Sequence, residues 1–314
     1  MSIPALKIQH LFKNYGSSTA VRDLSLDIAQ GEIFALLGPN GAGKSTTINM
    51  VTGAVRIGAG SIEVFGHCIR KDYLLTRRLI GVMHQEIVID TFFTIKRAIK
   101  IHSGYYGVPD DPKWRNTLIE RLGLVPHLDK PMHKLSGGLK RRFMIAKALI
   151  HKPRLLILDE PTAGVDVELR HSLWEFVREI NTRGTTVLLT THYLEEAEQL
   201  CERIAIMDNG SLVALERKAK LLDRLEGRKM VLTLESLPDT VPELFSDLDI
   251  PVHIEGNRIS LCLLEGISPG DILEALQKKN LRVADIDIEK PALEDVFLAL
   301  TGKKPLTRNN NHCP

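Results

Sequence analysis

The 314-residue chain carries 41 basic and 39 acidic side chains, a formal charge of +2, with 44% hydrophobic and 25% charged residues. That balance is ordinary for a globular protein and gives no general electrostatic basis for binding nucleic acid or an anionic membrane surface. No apolar run approaches the ~20 residues of a membrane span, and the opening Met-Ser-Ile-Pro-Ala lacks the basic and apolar regions of a signal peptide, so a cytosolic chain is expected. The length predicts two domains. Cys68, Cys201, Cys262 and Cys313 are widely spaced, which suggests neither a zinc site nor a disulfide framework.

Successive strands are expected at Leu6–Phe12, Val21–Ile28 and Glu32–Leu37, the last being the most apolar. A short helix then precedes strands at Ser61–Phe65 and Leu79–Met83. Helical spacing between Thr94 and Leu128, divided by Pro109 and Pro112, predicts a helical insert at about 86–135. Ser136 is placed to cap a helix running to Ile150, followed by strand Leu155–Leu158, helix Val167–Ile180, strand Thr186–Thr190 and a helix carrying Leu194, Ala197 and Leu200. Asp208-Asn209-Gly210 between two apolar runs is a hairpin signal. The alternation predicts an α/β domain over 1–217, a mixed sheet with an antiparallel part.

Beyond it, helix Lys220–Leu225, strand Met230–Leu234, helix Pro242–Leu248, strands Val252–Ile254 and Ile259–Leu263, helix Asp271–Lys279 and strand Val283–Ile288 give a βαββαβ order. This predicts a smaller α+β, ferredoxin-like domain over 218–303. Pro291–Leu300 reads as an amphipathic helix, and 304–314 as a disordered tail.

Chemistry concentrates in the first domain. Gly38-Pro39-Asn40-Gly41-Ala42-Gly43-Lys44-Ser45-Thr46 fits the phosphate-loop pattern between an apolar strand and a helix. Its glycines let backbone N–H groups turn toward phosphate, Lys44 supplies a charge for the β and γ phosphates, and Ser45 offers a hydroxyl to Mg²⁺. Leu155–Leu158 ends in Asp159-Glu160, the form of a Walker B strand: Asp159 for Mg²⁺, Glu160 as general base toward water. His192 follows a strand and is placed to reach the γ-phosphate, whereas Gln85, just past a strand end, says little by itself.

Tyr15, the phosphate loop, Gln85, Leu135-Ser136-Gly137-Gly138, Asp159-Glu160, Ala163-Gly-Val-Asp166 and His192 stand in an order that resembles ATP-binding cassette (ABC) proteins over residues 5 to about 215. Within that family, Thr191–Glu198 and Leu293-Glu-Asp-Val-Phe297 look similar to the ATPase subunits of ABC-2-type exporters. The resemblance implies a P-loop ABC ATPase fold, ATP with Mg²⁺ as ligands, and a homodimer that powers a separate transmembrane permease from the cytoplasmic face. It implies that Tyr15 stacks on adenine, Gln85 senses Mg²⁺ and communicates with the permease through the region after it, and His192 supports the transition state. Ser136, Gly137 and Gly138 would meet the γ-phosphate held by the other subunit, and Asp166 would cross the dimer interface. Leu139 departs from the glutamine usual in the signature, and His84 from a common proline before Gln85.

Two further features read as structural: Tyr105-Tyr106 with Trp114 as packing between helices, and Lys140-Arg141-Arg142 as a solvated helix face rather than a nucleic-acid site. The rival function, a soluble ABC ATPase acting on nucleic acid or ribosomes, generally has two cassettes or a coiled-coil insert, and neither is seen in this sequence.

Overall fold

The computed structural model describes residues 3–86, 92–223, 228–235, 252–263, 268–278, 281–289 and 293–301. Two compact units divide the chain, Met1–Lys218 and Ala219–Pro314.

The first unit begins with β1 (Leu6–Tyr15), β2 (Ser18–Ile28), β3 (Ile33–Leu37), α1 (Lys44–Val51), β4 (Ala59–Val64), β5 (His67–Cys68), α2 (Tyr73–Leu79) and β6 (Ile80–Met83). It continues through α3 (Ile95–Tyr105), α4 (Pro112–Arg121), α5 (Gly137–Leu149), β7 (Leu155–Asp159), α6 (Val167–Thr182), β8 (Thr186–Thr191), α7 (Leu194–Leu200), β9 (Arg203–Asp208) and β10 (Ser211–Arg217). The short β5 and helix α2 were not anticipated, because Tyr73–Leu79 is too short to show a helical period.

Two sheets form. An antiparallel one runs in the order β2-β1-β4-β5, and a mixed one in the order β10-β9-β3-β8-β7-β6, parallel except for the β9–β10 hairpin. Strand β3 has neighbours on both sides and no polar side chain, as a doubly covered central strand requires. Phe34 and Leu36 join Ile157, Leu188, Ala205 and Met207 in one core with Leu6, Ile8, Leu24 and Leu26 of the antiparallel sheet. Ile48, Met50 and Val51 of α1 belong to the same cluster, so the helix after the phosphate loop is anchored by the main core.

The insert consists of α3 and α4, capped by Thr94 and Asp111, and both pack on α5. Tyr106 stacks on His151 with ring centroids 3.6 Å apart, and the Trp114 indole donates to the Leu149 carbonyl at 2.8 Å. Packing thus accounts for these two rings, while Tyr105 is exposed. One expectation fails. Arg141 is 6% exposed, not part of a solvated face, because it shares the stripe of Met144, Ile145, Ala148 and Leu149 at i+3, i+4, i+7 and i+8.

In the second unit, after α8 (Lys218–Asp223), come β11 (Arg228–Leu234), β12 (Val252–Glu255), β13 (Arg258–Leu263), α9 (Pro269–Lys278), β14 (Val283–Glu289) and α10 (Leu293–Thr301). The sheet is antiparallel in the order β12-β13-β11-β14, the 2-3-1-4 arrangement of a ferredoxin-like sheet. Met230, Leu232, Leu234, Ile259 and Leu261 form its core with Ile272 and Leu276 of α9. The helix expected at Pro242–Leu248 and the tail at 304–314 lie outside the described residues.

Burial holds His102 and His151 at about 4, below the usual 6.5 of histidine, and the Lys147 charge depresses His102 further. From pH 6.5 down to about 4 the unfolded chain therefore takes up protons that the folded chain refuses, so stability is lost as pH falls through that window. His151→Phe keeps a ring against Tyr106 and removes one of these groups. Its unfolding midpoint should fall less than that of the wild type between about pH 7 and about pH 5. Equal falls would show that His151 is not a source of the acid sensitivity.

Candidate active site

The mixed sheet brings the polar residues together at one edge. Strands β3, β8, β7 and β6 are consecutive neighbours, and all four are parallel, so their C-terminal ends lie side by side. The phosphate loop follows β3, His192 follows β8, Asp159-Glu160 closes β7, and Gln85 follows β6. Four segments distant in sequence thus meet where open α/β sheets gather their ligands.

The loop after β3 depends on glycine at two points. Gly43 has φ +99°, and a Cβ there would stand 2.3 Å from the Ala20 carbonyl oxygen; a Cβ on Gly38 would meet the Met207 carbonyl oxygen at 2.4 Å. Lys44, the first residue of α1, is 4% exposed, and its ammonium donates to the carbonyls of Gly38 at 2.7 Å and Pro39 at 3.0 Å. Burial pushes that ammonium below its ordinary pKa, opposed by the nearby charges of Glu160 and Asp159.

Glu160 is the hub. Its carboxylate accepts from Gln85 Nε2 at 2.9 Å, lies 3.7 Å from Lys44 Nζ, and has His192 Nδ1 3.2 Å away without hydrogen-bond alignment. It is 4% exposed and sits in the left-handed region at φ 49°. A non-glycine residue in that region stores strain, which fixed surroundings must hold. Thr190 provides them: the Glu160 N–H donates to the Thr190 carbonyl at 3.0 Å and lies 3.1 Å from its hydroxyl oxygen. The Thr190 hydroxyl also donates to Asp159 Oδ1, the same oxygen that Ser45 Oγ meets at 3.3 Å. Thr190 was missed by sequence reasoning, although a threonine inside the fully buried run of β8 is a signal that polar groups meet there.

The remaining predicted residues lie apart from this hub. Ser136 is the N-cap of α5, accepting from the Leu139 N–H at 3.4 Å, and both it and Gly137 are exposed. Gly138 approaches Leu169 of α6 so closely that a Cβ would lie 2.8 Å from its methyl. Asp166 caps α6 through the Leu169 N–H at 2.8 Å. Among the described residues, no hydrogen bond or ion pair joins Ser136 or Asp166 to Lys44 or Glu160. Tyr15, at the end of β1, is 50% exposed, with the Lys13 ammonium 5.1 Å from its ring centre. A cavity of about 560 Å³ lies elsewhere, lined by Thr52, Arg56, Arg70, Tyr73 and Arg77. It adjoins the end of α1 away from Lys44, ~12 Å along the 8-residue helix, and so is not this site.

A sequence profile for ABC transporters matches residues 21–163. The linearmycin resistance ATP-binding protein LnrL of Bacillus subtilis is 36% identical over 307 residues, spanning 95% of this chain and 98% of its own length. The chain belongs to the ABC transporter family. The Nod factor export ATP-binding protein I of Rhizobium etli is likewise 36% identical, over 97% of this chain and 95% of that protein. Among solved structures, the ATP-binding subunit of an ABC transporter superposes with a TM-score of 0.65 at 28% identity, covering 70% of this chain and 92% of that one. As an ABC ATPase the chain binds and hydrolyses ATP to power a membrane transporter, a task that such subunits share with a separate permease. Among the described residues, no helix is long and apolar enough to cross a membrane.

Lys44→Ala removes the buried ammonium from the phosphate loop. A charged hydrogen bond contributes about 1.5–3 kcal/mol, so ATP affinity should drop roughly 10- to 100-fold. Equilibrium titration with a fluorescent ATP analogue measures this, and unchanged affinity would place the phosphates elsewhere.

Proposed function

We propose that this ABC ATPase drives an exporter and hydrolyses ATP at composite sites between two copies of the chain. The observation that carries the reading is the separation of two half-sites: the Lys44–Glu160–Gln85–His192 cluster on one sheet edge, and the exposed N-terminus of α5, where, among the described residues, Ser136 makes no hydrogen bond or ion pair to that cluster. A helix N-terminus with a serine and bare glycines is an anion site, and here it suits a phosphate held by a second copy. The exporter assignment rests on the relatives named for linearmycin resistance and Nod factor export.

In this reading Tyr15 stacks on adenine, residues 38–46 wrap the phosphates, and Lys44 leaves the loop carbonyls to meet the β and γ oxygens. Ser45 and Asp159, joined at 3.3 Å, form a small oxygen pair suited to Mg²⁺, which keeps most of its shell from water and phosphate. When bound, that ion neutralises charge on the phosphates. Glu160 accepts the proton of the attacking water, with Gln85 and His192 holding the carboxylate and the γ-phosphate in register. Asp166, at the start of α6, faces the partner copy. The permease docks through the residues after Gln85, of which 87–91 lie outside the described residues, and Phe92 beyond them is exposed. Docked there, the chain works from the cytoplasmic face of the membrane.

A mixed dimer tests the composite site. A Lys44→Ala chain and a Ser136→Arg chain, differently tagged and co-purified, concentrate both lesions in one site and leave the other intact. Each variant alone should be nearly inactive, whereas the mixed dimer should recover part of the ATPase rate. Wild-type hydrolysis by Ser136→Arg alone would remove the signature from the site and with it the two-copy mechanism.

A further inference from the structure

Arg141 is buried on α5 one turn after the signature glycines, and its guanidinium spans two segments that neighbour the hub. Its Nη1 donates to the main-chain carbonyl of Gln85 at 3.2 Å, and its Nη2 to the carbonyl of Ala163 at 2.8 Å. Gln85 is the residue whose amide holds Glu160, and Ala163 closes the turn from Glu160, its N–H donating to the Glu160 carbonyl at 3.3 Å. The same turn leads into Asp166 at the start of α6. Burial lowers the pKa of the guanidinium, and the charges of Glu160, Glu196 and Asp159 oppose that shift in part. All three carboxyl groups are themselves buried, as is Arg141, so the guanidinium lies inside the protein and is not a surface cation.

We propose that Arg141 is a positioning residue that couples the two ATP sites of the dimer, transmitting the seating of α5 on one nucleotide to Gln85 and Glu160 at the other. The proposal rests on the composite-site reading above. In that reading Ser136, Gly137 and Gly138 engage the ATP of the partner copy, while Gln85 and Glu160 of the same chain serve its own ATP. Arg141 is fixed to the helix that carries the first set, and its donors end on the backbone that carries the second. A shift of α5 as it meets phosphate therefore pulls on the Gln85 carbonyl and on the turn after Glu160 together. The planar fork suits this task because it holds two carbonyls in different directions at once; the single ammonium of lysine cannot reproduce it. Among the described residues it makes no hydrogen bond or ion pair to Lys44 or the phosphate loop, so ATP binding to a single chain does not depend on it.

The test compares the full-length Arg141→Gln and Arg141→Lys chains with wild type and with Glu160→Gln. Equilibrium ATP affinity, kcat and the Hill coefficient of steady-state ATPase activity are measured for each. We expect ATP affinity within about twofold of wild type, kcat lower by roughly 10- to 100-fold as for a catalytic group displaced by about 1 Å, and a Hill coefficient reduced toward 1, in both Arg141 variants. A purely structural role would lower affinity and kcat in parallel, and that result overturns the proposal. Wild-type kcat and cooperativity in Arg141→Gln, or full rescue by Arg141→Lys, overturn it as well. Glu160→Gln separates the two layers: undiminished hydrolysis there sinks the site reading itself, whereas its loss beside unaffected Arg141 variants sinks only the coupling.

Discussion

A buried carboxylate next to a buried ammonium is the constraint around which the first unit is organised. Glu160 and Lys44 are each 4% exposed and lie 3.7 Å apart. Neither charge is tolerable alone in such a place, since removing one partner leaves the other unpaired and desolvated. Their surroundings are correspondingly specific: carbonyls of the phosphate loop for the ammonium, the Gln85 amide for the carboxylate, and Thr190 for the backbone of Glu160 in its left-handed conformation. In the mechanism proposed above, a nucleotide that draws Lys44 toward its phosphates also frees the carboxylate from its counter-charge, which ties the binding step to the readiness of the base.

The order of the sheet makes this possible. With β8 between β3 and β7, Thr190 and His192 are delivered beside Asp159 and Glu160. The antiparallel sheet contributes no residue to the hub but supplies much of the apolar mass against which α1 is fixed. Rigid seating of α1 matters because Lys44 and Ser45 are its first two residues, and any tilt would move both.

Two positions depart from the usual cassette pattern, and neither disturbs the hub. Leu139 supplies only its N–H to the Ser136 cap, a role that any side chain permits. His84 follows β6 directly, and burial lowers its pKa, an effect that the charge of Asp159 opposes.

The sequence by itself determined the family and the candidate residues of the site. The phosphate loop, Asp159-Glu160, the signature and His192 are contiguous phrases whose local geometry follows from strand, turn and helix propensities. It also carried the succession of the described strands along the second unit, through alternation of helical and period-2 segments. The tertiary structure alone decided which carbonyls meet which donors. Arg141 illustrates the difference: between Lys140 and Arg142 it reads as part of a charged face, yet helix phase turns it inward with Met144 and Ile145. Whether an inward arginine is a fault or a link depends on carbonyls contributed by residues 85 and 163, and no local pattern records that pairing. Thr190 has the same character, a polar group in an apolar strand whose partners arrive from β7. Local interactions are written in the order of residues, whereas the satisfaction of buried polar groups is a property of segments brought together only by the packed core.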